Sequence, residues 1–341
     1  MVAEFTVPTL ASGARSAAKR TSASVTDPKI LVGDCLEQMA HIESQSVQTC
    51  VTSPPYWGLR DYGHDGQVGL EETPEEYVAK MVEIFAEVKR VMKDDGTLLL
   101  NLGDSYAGSG KGRNGDGGRT VNPNDLQTSS AGTMLGLLAP SMPDGLKPKD
   151  LIGIPWRVAF ALQADGWYLR QDIIWAKPNP MPEPVKDRCT KSHEYLFLLS
   201  KSPKYYFDNE AIKEPSLGLG KTAIRFGGNK YGDSDDPKHA TKSGNEYTDS
   251  GKRNKRDVWT INAKPFKGAH FATMPEALVE PCVLAGSREG DIVLDPFLGS
   301  GTVAVVAERN RRNWIGCELN PDYAAIAEAR IASAQPEMEL F

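Results

Sequence analysis

Two short segments of the sequence combine residue types that could bind and orient a reactive group, and the first begins at residue 52. The segment TSPPYW (residues 52–57) follows an apolar run at 47–52 that is typical of a buried strand. Its two prolines fix the backbone and remove two N–H donors, so the turn presents its carbonyl oxygens as acceptors. A hydroxyl, fixed carbonyls and an aromatic ring would suit a flat base that carries an amino group. The alternative is a proline-rich turn that only ends a strand.

The second segment is a glycine-rich turn near the C-terminus. DPFLGSGT (residues 295–302) joins an apolar run at 292–295 to a helical pattern that begins at about residue 301. Glycines let the backbone approach a ligand, and a helix N-terminus offers unpaired N–H groups. Glu318 ends the next apolar run, where an acidic side chain can bind ribose hydroxyls. The G-x-G-x-x-A pattern also fits a dinucleotide site or a structural turn, whereas the G-K-[ST] ending of a phosphate-binding P-loop is absent.

Alternating strands and helices must position these two turns. Hydrophobic periodicity predicts strands at 30–32, 47–52, 97–102, 168–175, 195–199, 292–295 and 314–318. It predicts helices at 35–43, 151–164, 275–286, 321–333, from about 301, and from a capping box at 73–76 to residues 95–96. Only about 40 residues follow Gly301, so strands from the N-terminal half must complete the sheet. The sequence therefore predicts a circularly permuted α/β fold, an order that is unusual for a dehydrogenase.

Composition limits the classes of protein that fit the chain. The 341 residues are 40% apolar, enough for a core, and suit two domains or one large α/β domain with insertions. A formal charge of −6 argues against nucleic-acid binding by bulk charge. Five scattered cysteines without metal-ligand spacing favour reduced thiols, and no apolar stretch reaches the roughly 18 residues of a membrane span. Without a secretory signal, a cytoplasmic protein is expected.

Three segments interrupt the regular pattern. Residues 1–28 are expected to form a flexible leader, and loop-rich insertions are expected at 103–148 and 208–257. Between residues 221 and 267, eleven Lys and Arg stand against six Asp and Glu, a local charge of +5. This basic region lies within a chain whose total charge is negative.

The two motifs, in this order, resemble those of the amino-methylating DNA methyltransferases, specifically the permuted β group, in which the catalytic motif precedes the S-adenosylmethionine motif. TSPPY is similar to the catalytic motif, and DPFLGSGT with Glu318 is similar to the cofactor motif. Segments 170–208 and 270–287 also resemble this family. The resemblance implies the Rossmann-like fold of the S-adenosylmethionine-dependent methyltransferases. In that fold helices cover both faces of a mostly parallel sheet, here within one catalytic domain at 29–341.

The resemblance also implies a role for each motif residue in methyl transfer to a base that is flipped out of duplex DNA. Tyr56 would stack on the base, while Ser53 Oγ and the carbonyl of Pro54 would accept hydrogen bonds from its amine, and Pro55 completes the motif. Serine before Pro-Pro favours the N4 amine of cytosine, with adenine N6 as the alternative. S-adenosylmethionine would contact Asp34, Cys35, Thr273, Pro275, Asp295, Pro296, Phe297, Gly299, Ser300, Gly301, Thr302, Glu318 and Asn320. For Asp34 a helix N-cap is an equal alternative.

Double-stranded DNA is the implied partner. The insertion at 103–148 is expected to contact DNA and that at 208–257 to recognise the target. Phosphate contacts are expected from Lys252, Arg253, Lys255 and Arg256, with a solvated charged loop as the alternative. The enzyme, bacterial or phage-encoded, could serve a cognate restriction endonuclease that need not bind this chain, or could be an orphan; these alternatives remain open, as do monomer and dimer. No metal is expected. A NAD-dependent dehydrogenase and a non-catalytic DNA-binding module are the more remote alternatives.

One cysteine could suggest a different chemistry. A Pro-Cys pair, here Pro281-Cys282, is the nucleophile signature of the carbon-5 cytosine methyltransferases. In this chain it lies within an apolar helical pattern, which predicts that Cys282 is a core residue.

Overall fold

A computed structural model of the protein describes residues 28–58, 64, 66–107, 145–216, 251–263 and 273–334. Most of the expected leader and of the two expected insertions lies outside these ranges. The strands within them are β1 (Lys29–Val32), β2 (Val47–Thr52), β3 (Met92–Leu102), β4 (Tyr168–Ala176), β5 (His193–Ser200), β6 (Glu214–Pro215), β7 (Lys252–Arg253), β8 (Val258–Thr260), β9 (Ile292–Asp295) and β10 (Asn313–Glu318). The helices are α1 (Cys35–Met39), α2 (Pro74–Val91), α3 (Ile154–Ala164), α4 (Glu276–Gly286), α5 (Thr302–Arg309) and α6 (Pro321–Ala334).

Eight of the described strands form one sheet in the order β1-β10-β9-β2-β3-β5-β4-β8. All neighbours pair in parallel except around β5, which runs antiparallel to both β3 and β4. The late strands β9 and β10 lie between β1 and β2. The predicted permuted and mostly parallel sheet is therefore confirmed.

Alternate side chains of the central strands supply two separate cores. On β3, Leu98 and Leu100 belong to the core that is shared with α1, α2 and α3. Leu99 between them belongs to the other core, which is shared with α4, α5 and α6. Since both faces of these strands are buried, the continuous apolar runs in the sequence are those of a sheet covered on two sides. The expected helices on both faces are confirmed.

Several bounds differ from the sequence predictions, and the short strands β6, β7 and β8 were not predicted. Helix α2 ends at Val91, before residues 95–96, because Met92 is already extended (φ −74°, ψ 144°) and opens β3. Helix α1 contains only five residues and ends at Met39, before the predicted end at residue 43. Strand β8 is a three-residue edge strand in which only Trp259 is buried, so it carries no apolar run that could signal a strand.

The order of the strands creates a crevice at the carboxyl ends of β9 and β2. From β9 the chain passes through α5 to β10 on one side, whereas from β2 it passes through α2 to β3 on the other. Such a reversal of direction leaves an opening outside the strand ends, and this is where α/β proteins bind their ligands. Both motif turns begin here. No helix in the described part of the chain combines the length and apolar character of a membrane span.

Candidate active site

The two motif turns are joined directly by a buried hydrogen bond. Thr52, the last residue of β2, donates its hydroxyl to Asp295 Oδ1 at 2.6 Å, and both residues are buried. The same carboxylate oxygen accepts the amide N–H of Phe297 at 3.0 Å. Burial raises the pKa of Asp295 to about 7, although these two hydrogen bonds oppose the rise. The bond fixes the start of one turn against the start of the other.

A cavity of about 790 Å³ opens over the two turns. It is lined by all four predicted catalytic residues and by all but two of the predicted cofactor residues. These lining residues are Ser53, Pro54, Pro55, Tyr56, Asp34, Cys35, Thr273, Asp295, Pro296, Phe297, Gly299, Ser300, Thr302, Glu318 and Asn320. The structure thus brings together residues that lie in five separate parts of the sequence.

Two predicted cofactor residues do not line the cavity. Pro275 is buried as the N-cap of α4. Gly301 has φ +79°, and a Cβ at this position would lie 3.0 Å from the Cβ of Ala327. Glycine is therefore required here because α6 packs closely against the turn. Both residues have structural roles at these positions, and the cofactor contacts that the resemblance implies for them stay predictions.

The glycine turn is held against the end of β10 by Glu318. The carboxylate of Glu318 accepts the amide N–H of Gly299 at 2.7 Å through Oε2 and that of Asn320 at 2.9 Å through Oε1. Burial raises the pKa of Glu318, and these N–H donors oppose the rise. Gly299 itself has φ +53°, a conformation that glycine adopts without strain. Each carboxylate oxygen can accept more than one hydrogen bond, so Glu318 retains acceptor capacity toward the cavity.

Asp34 is the N-cap that the sequence offered as one alternative, and its contact with the cofactor stays a prediction. Its Oδ1 accepts the amide N–H of Leu36 at 2.9 Å and that of Glu37 at 3.2 Å, which makes it the N-cap of α1. It also lines the cavity, beside Cys35. A cap that faces the cavity places polar oxygen at this end without leaving the helix uncapped.

The tyrosine of the SPPY turn is fixed at its hydroxyl and at its ring edge. Tyr56 Oη donates to Glu194 Oε2 at 2.7 Å and also lies 3.1 Å from Asn101 Oδ1. Ser53 Oγ lies 3.4 Å from the hydroxyl of Tyr56 and donates a weak hydrogen bond to it. Burial and the negative charge of Glu194 raise the pKa of Tyr56 well above its ordinary value. A Cβ at Gly103 would lie 2.5 Å from Tyr56 Cε2, so only glycine leaves room for the ring.

Of the two proline carbonyls in the turn, only that of Pro55 accepts a hydrogen bond from the described residues. Tyr77, on the buried face of α2, donates its hydroxyl to the carbonyl of Pro55 at 2.9 Å. The carbonyl of Pro54 accepts no hydrogen bond from any described part of the protein. The side chain of Ser53 and the carbonyl of Pro54 therefore remain the acceptors that this turn can offer to a ligand.

The structure adds three polar residues to this end of the cavity that sequence reasoning missed. Asn101 ends β3, Lys177 follows β4, and Glu194 begins β5; all three line the cavity. Lys177 and Glu194 form an ion pair that is less than one-fifth exposed on each side, and Lys177 Nζ lies 4.1 Å from the ring centroid of Trp175. The antiparallel direction of β5 brings its first residues to the same edge as the carboxyl ends of β3 and β4. Lys177 and Glu194 lie in segment 170–208, whose resemblance to the family was a signal that the sequence reasoning did not carry to single residues.

Arg330 of α6 braces the glycine turn from behind and was also missed. Its guanidinium donates to Ser300 O at 3.2 Å, to Ser300 Oγ at 3.1 Å and to Thr302 Oγ1 at 2.9 Å. It also donates to Glu276 at 2.9 Å. Burial alone would raise the pKa of Glu276, but hydrogen bonds from Arg330 and Arg309 hold it below its ordinary value. A single arginine in the last helix gave no sequence signal for this role.

Cys282 is a core residue, as its sequence context predicted. It is 1% exposed, and its thiol donates to the carbonyl of Leu278 at 3.1 Å. Burial raises the pKa of the thiol, which keeps it in the unreactive protonated form. The Pro-Cys pair therefore belongs to the packing of α4.

The four basic residues predicted to contact DNA lie outside the cavity, near the end of the second insertion. Arg253 and Arg256 both donate to Glu214 Oε1, at 2.8 Å and 2.7 Å. Lys255 Nζ lies 4.8 Å from the ring centroid of Trp259, and Lys252 is exposed on β7. Two of the four thus contribute to holding β6 and β7 together, and their contact with phosphates stays a prediction.

Fold and site together define a class of α/β enzyme that binds a nucleoside-type cofactor beside a pocket for a second, planar group. The chain matches the family model of the N6/N4 DNA methylases over residues 47–329 and belongs to this family. It is 49% identical to the type II methyltransferase M.Cfr9I of Citrobacter freundii over 299 residues, 88% of this chain and 86% of that protein. It is 49% identical to M.SmaI of Serratia marcescens over 303 residues, 89% of this chain and 90% of that protein.

Solved structures agree with the fold. The PvuII DNA methyltransferase (cytosine-N4-specific) superposes with a TM-score of 0.59 at 19% identity and covers 91% of this chain and 92% of its own. A Thermus thermophilus protein described as a putative DNA modification methylase, solved with S-adenosyl-L-methionine, gives a TM-score of 0.55 at 23% identity, with 91% and 96% covered. The chain is thus an S-adenosylmethionine-dependent DNA methyltransferase, and the dehydrogenase interpretation of its glycine turn is wrong.

Proposed function

We propose that this chain is a type II modification enzyme that methylates the N4 amine of a cytosine flipped out of duplex DNA, with adenine N6 as the alternative target. The observation that carries the proposal is the pair of acceptors at the SPPY turn. Ser53 and Pro54 line the cavity beside Tyr56, whose hydroxyl is held by Glu194, and no described group donates to the carbonyl of Pro54. The relatives M.Cfr9I and M.SmaI are named type II methyltransferases, which supports the type II assignment. A cognate endonuclease would act on DNA independently of this chain.

The glycine-turn end of the cavity fits S-adenosylmethionine, whose sulfonium supplies the methyl group when bound. The cavity of about 790 Å³ is within the roughly 300–1,000 Å³ that ligand sites occupy. Glu318 has acceptor capacity left for two ribose hydroxyls, and Asp34 and Cys35 would lie near the adenine. Thr273 and the turn at 295–302 would hold the amino-acid end. In their ionised forms, the buried carboxylates of Asp295 and Glu318 would attract the cationic sulfur.

The SPPY end of the cavity would bind and orient the base. The ring of Tyr56 stacks on it, while Ser53 Oγ and the Pro54 carbonyl accept the two N–H bonds of the amine. With both N–H groups held, the nitrogen lone pair is directed toward the methyl donor. The enzyme then accelerates transfer through positioning and fixed dipoles, without a covalent intermediate.

The donors in the pocket favour cytosine over adenine. Beside its amine, cytosine presents two adjacent acceptors on one edge, N3 and O2, whereas the acceptors of adenine, N1 and N7, lie on opposite sides of its amine. Lys177 lines the cavity and, with three N–H donors, can pair with Glu194 and still donate to the base. A cationic donor at this edge therefore suits a ring with two adjacent acceptors.

Analysis of DNA from cells that express the protein tests the proposal. We expect N4-methylcytosine in nucleoside digests, and single-molecule sequencing should place it in one short sequence context. Ser53→Ala should abolish it, whereas Ser333→Ala, an exposed serine on α6, should not. N6-methyladenine in that context would overturn the assignment of the base, and unmodified DNA from cells containing folded protein would overturn the proposed activity.

A further inference from the structure

The segment that joins β4 to β5, residues 177–192, carries an exposed methionine at the mouth of the cavity. Met181 is 81% exposed, the highest fraction of any large apolar side chain in the described ranges. Single exposed apolar residues are ordinary on protein surfaces. Of the exposed large apolar side chains in those ranges, however, only Met181 also lines the cavity. Its position, more than its exposure, therefore requires an explanation.

The backbone on both sides of Met181 is held in place. Two residues before it, Asn179 donates to the carbonyl of Ala263 at 3.0 Å and accepts its amide N–H at 3.0 Å. Two residues after it, Glu183 Oε2 accepts Arg188 Nη1 at 2.6 Å and the amide of Lys191 at 3.3 Å. Prolines at 180 and 182 restrict the chain further. The methionine thus extends from a fixed support.

The same segment is braced against the rest of the site and is basic. Arg188 lies 4.0 Å from the ring centroid of Tyr106, and Lys191 Nζ donates to the carbonyl of Asp104 at 2.6 Å. Residues 177–192 contain four Lys and Arg against two Asp and Glu. A basic segment on a chain of negative total charge suits contact with a phosphate backbone.

We propose that Met181 inserts into the DNA base stack at the place that the flipped base leaves. This inference rests on the proposed function, methyl transfer to an extruded base. Apolar side chains, methionine among them, enter base steps and replace part of the stacking that is lost there. Tyr56 and Met181 line one cavity, so one receives the base while the other occupies the gap. A rigid support allows the side chain to enter the stack without ordering a loop at the same time.

The test compares Met181→Ala and Met181→Leu on two short duplexes that contain the sequence context identified in cellular DNA. In one the target base is paired, and in the other it faces an abasic site, which lowers the cost of extrusion. We expect Met181→Ala to slow single-turnover methylation of the paired duplex by about tenfold or more, but that of the abasic duplex by less than about twofold. Met181→Leu should stay near wild type on both, as should Phe160→Ala, an exposed control on α3. Binding of S-adenosylhomocysteine confirms that each variant is folded.

Two outcomes would overturn the insertion. Equal slowing on both duplexes would mean that Met181 supports the fold or contacts DNA without replacing a base, and unchanged activity on the paired duplex would mean that nothing depends on it. Failure of the proposed function is recognised separately, because the wild-type enzyme would then methylate neither duplex.

Discussion

Replacing Thr52 with Val tests whether the buried bond between the two turns stabilises the site. Val is close to Thr in shape but cannot donate, so Asp295 would keep only the amide of Phe297. A hydrogen bond to a charged acceptor contributes about 1.5–3 kcal/mol and a neutral one about 0.5–1.5 kcal/mol. We expect Thr52→Val to lower the free energy of unfolding by about 2–3 kcal/mol when Asp295 is ionised, and by about 1 kcal/mol less when it is protonated.

The effect should therefore depend on pH in a defined direction. Burial raises the pKa of Asp295 to about 7 in the folded protein, against roughly 3.9 in an unfolded chain. Because the folded state holds this proton more tightly, the contribution of Asp295 to stability falls as pH rises from about 4 to about 7. At pH 6 the folded group is mostly protonated, and at pH 8 it is mostly ionised. The loss caused by Thr52→Val should be larger at pH 8.

Urea denaturation at pH 6 and pH 8 measures this difference, and the same strand offers a matched control. Thr49 is equally buried on β2, but its hydroxyl contacts only the carbonyl and hydroxyl of Thr97, both at 3.0 Å. These partners are neutral, so the loss caused by Thr49→Val should be the same at both pH values. If the loss for Thr52→Val were also independent of pH, Asp295 would not carry the charge that the reasoning requires.

Three further changes have expected outcomes. Glu318→Gln should weaken S-adenosylhomocysteine binding about 10- to 100-fold by calorimetry, since hydrogen bonds to a charged group are lost, while Glu328→Gln on the exposed face of α6 should leave it unchanged. Tyr56→Phe should retain most of the rate of DNA methylation because the stacking ring remains, whereas Tyr56→Ala should lose it with cofactor binding intact; equal loss would contradict a stacking role. The double change Lys252→Ala and Lys255→Ala should reduce the salt dependence of DNA binding. The slope of log binding constant against log salt concentration should fall in magnitude by about two, and an unchanged slope would mean that neither lysine contacts a phosphate.

The two turns, each at the end of a buried strand, could be predicted from the sequence because each depends on a local pattern. Buried parallel strands produce continuous apolar runs, and the residues that follow such strands gather at one edge of the sheet. The segments at 52–57 and 295–302 had only to lie on neighbouring strands to share a cavity. The pairing of β2 with β9, which the sequence did not specify, makes them neighbours.

What the sequence could not provide is the set of side chains that reach the site from other elements. Glu194 contacts Tyr56 across 138 positions, and Arg330 contacts Ser300 across 30 positions. Arg330 lies in no motif, the resemblance of segment 170–208 assigned no role to Glu194, and polar residues of these types are common on protein surfaces. Their roles depend on the antiparallel β5 and on the packing of α6, which no local pattern encodes. The edge strand β8 was missed for a related reason, since Trp259 alone is buried on it.

The permuted order of the chain has a consequence for how the site forms. Thr52 and Asp295 are separated by 243 positions, yet their side chains lie 2.6 Å apart because β2 and β9 are neighbours in the centre of the sheet. Neither half of the chain holds both turns, so the cavity exists only after the C-terminal strands have inserted between β1 and β2. Closing a loop of this length costs conformational entropy, which the contacts between β2 and β9 must offset. Cofactor site and base site therefore depend on the same strand pairing, and loss of the β2–β9 pairing would remove both together.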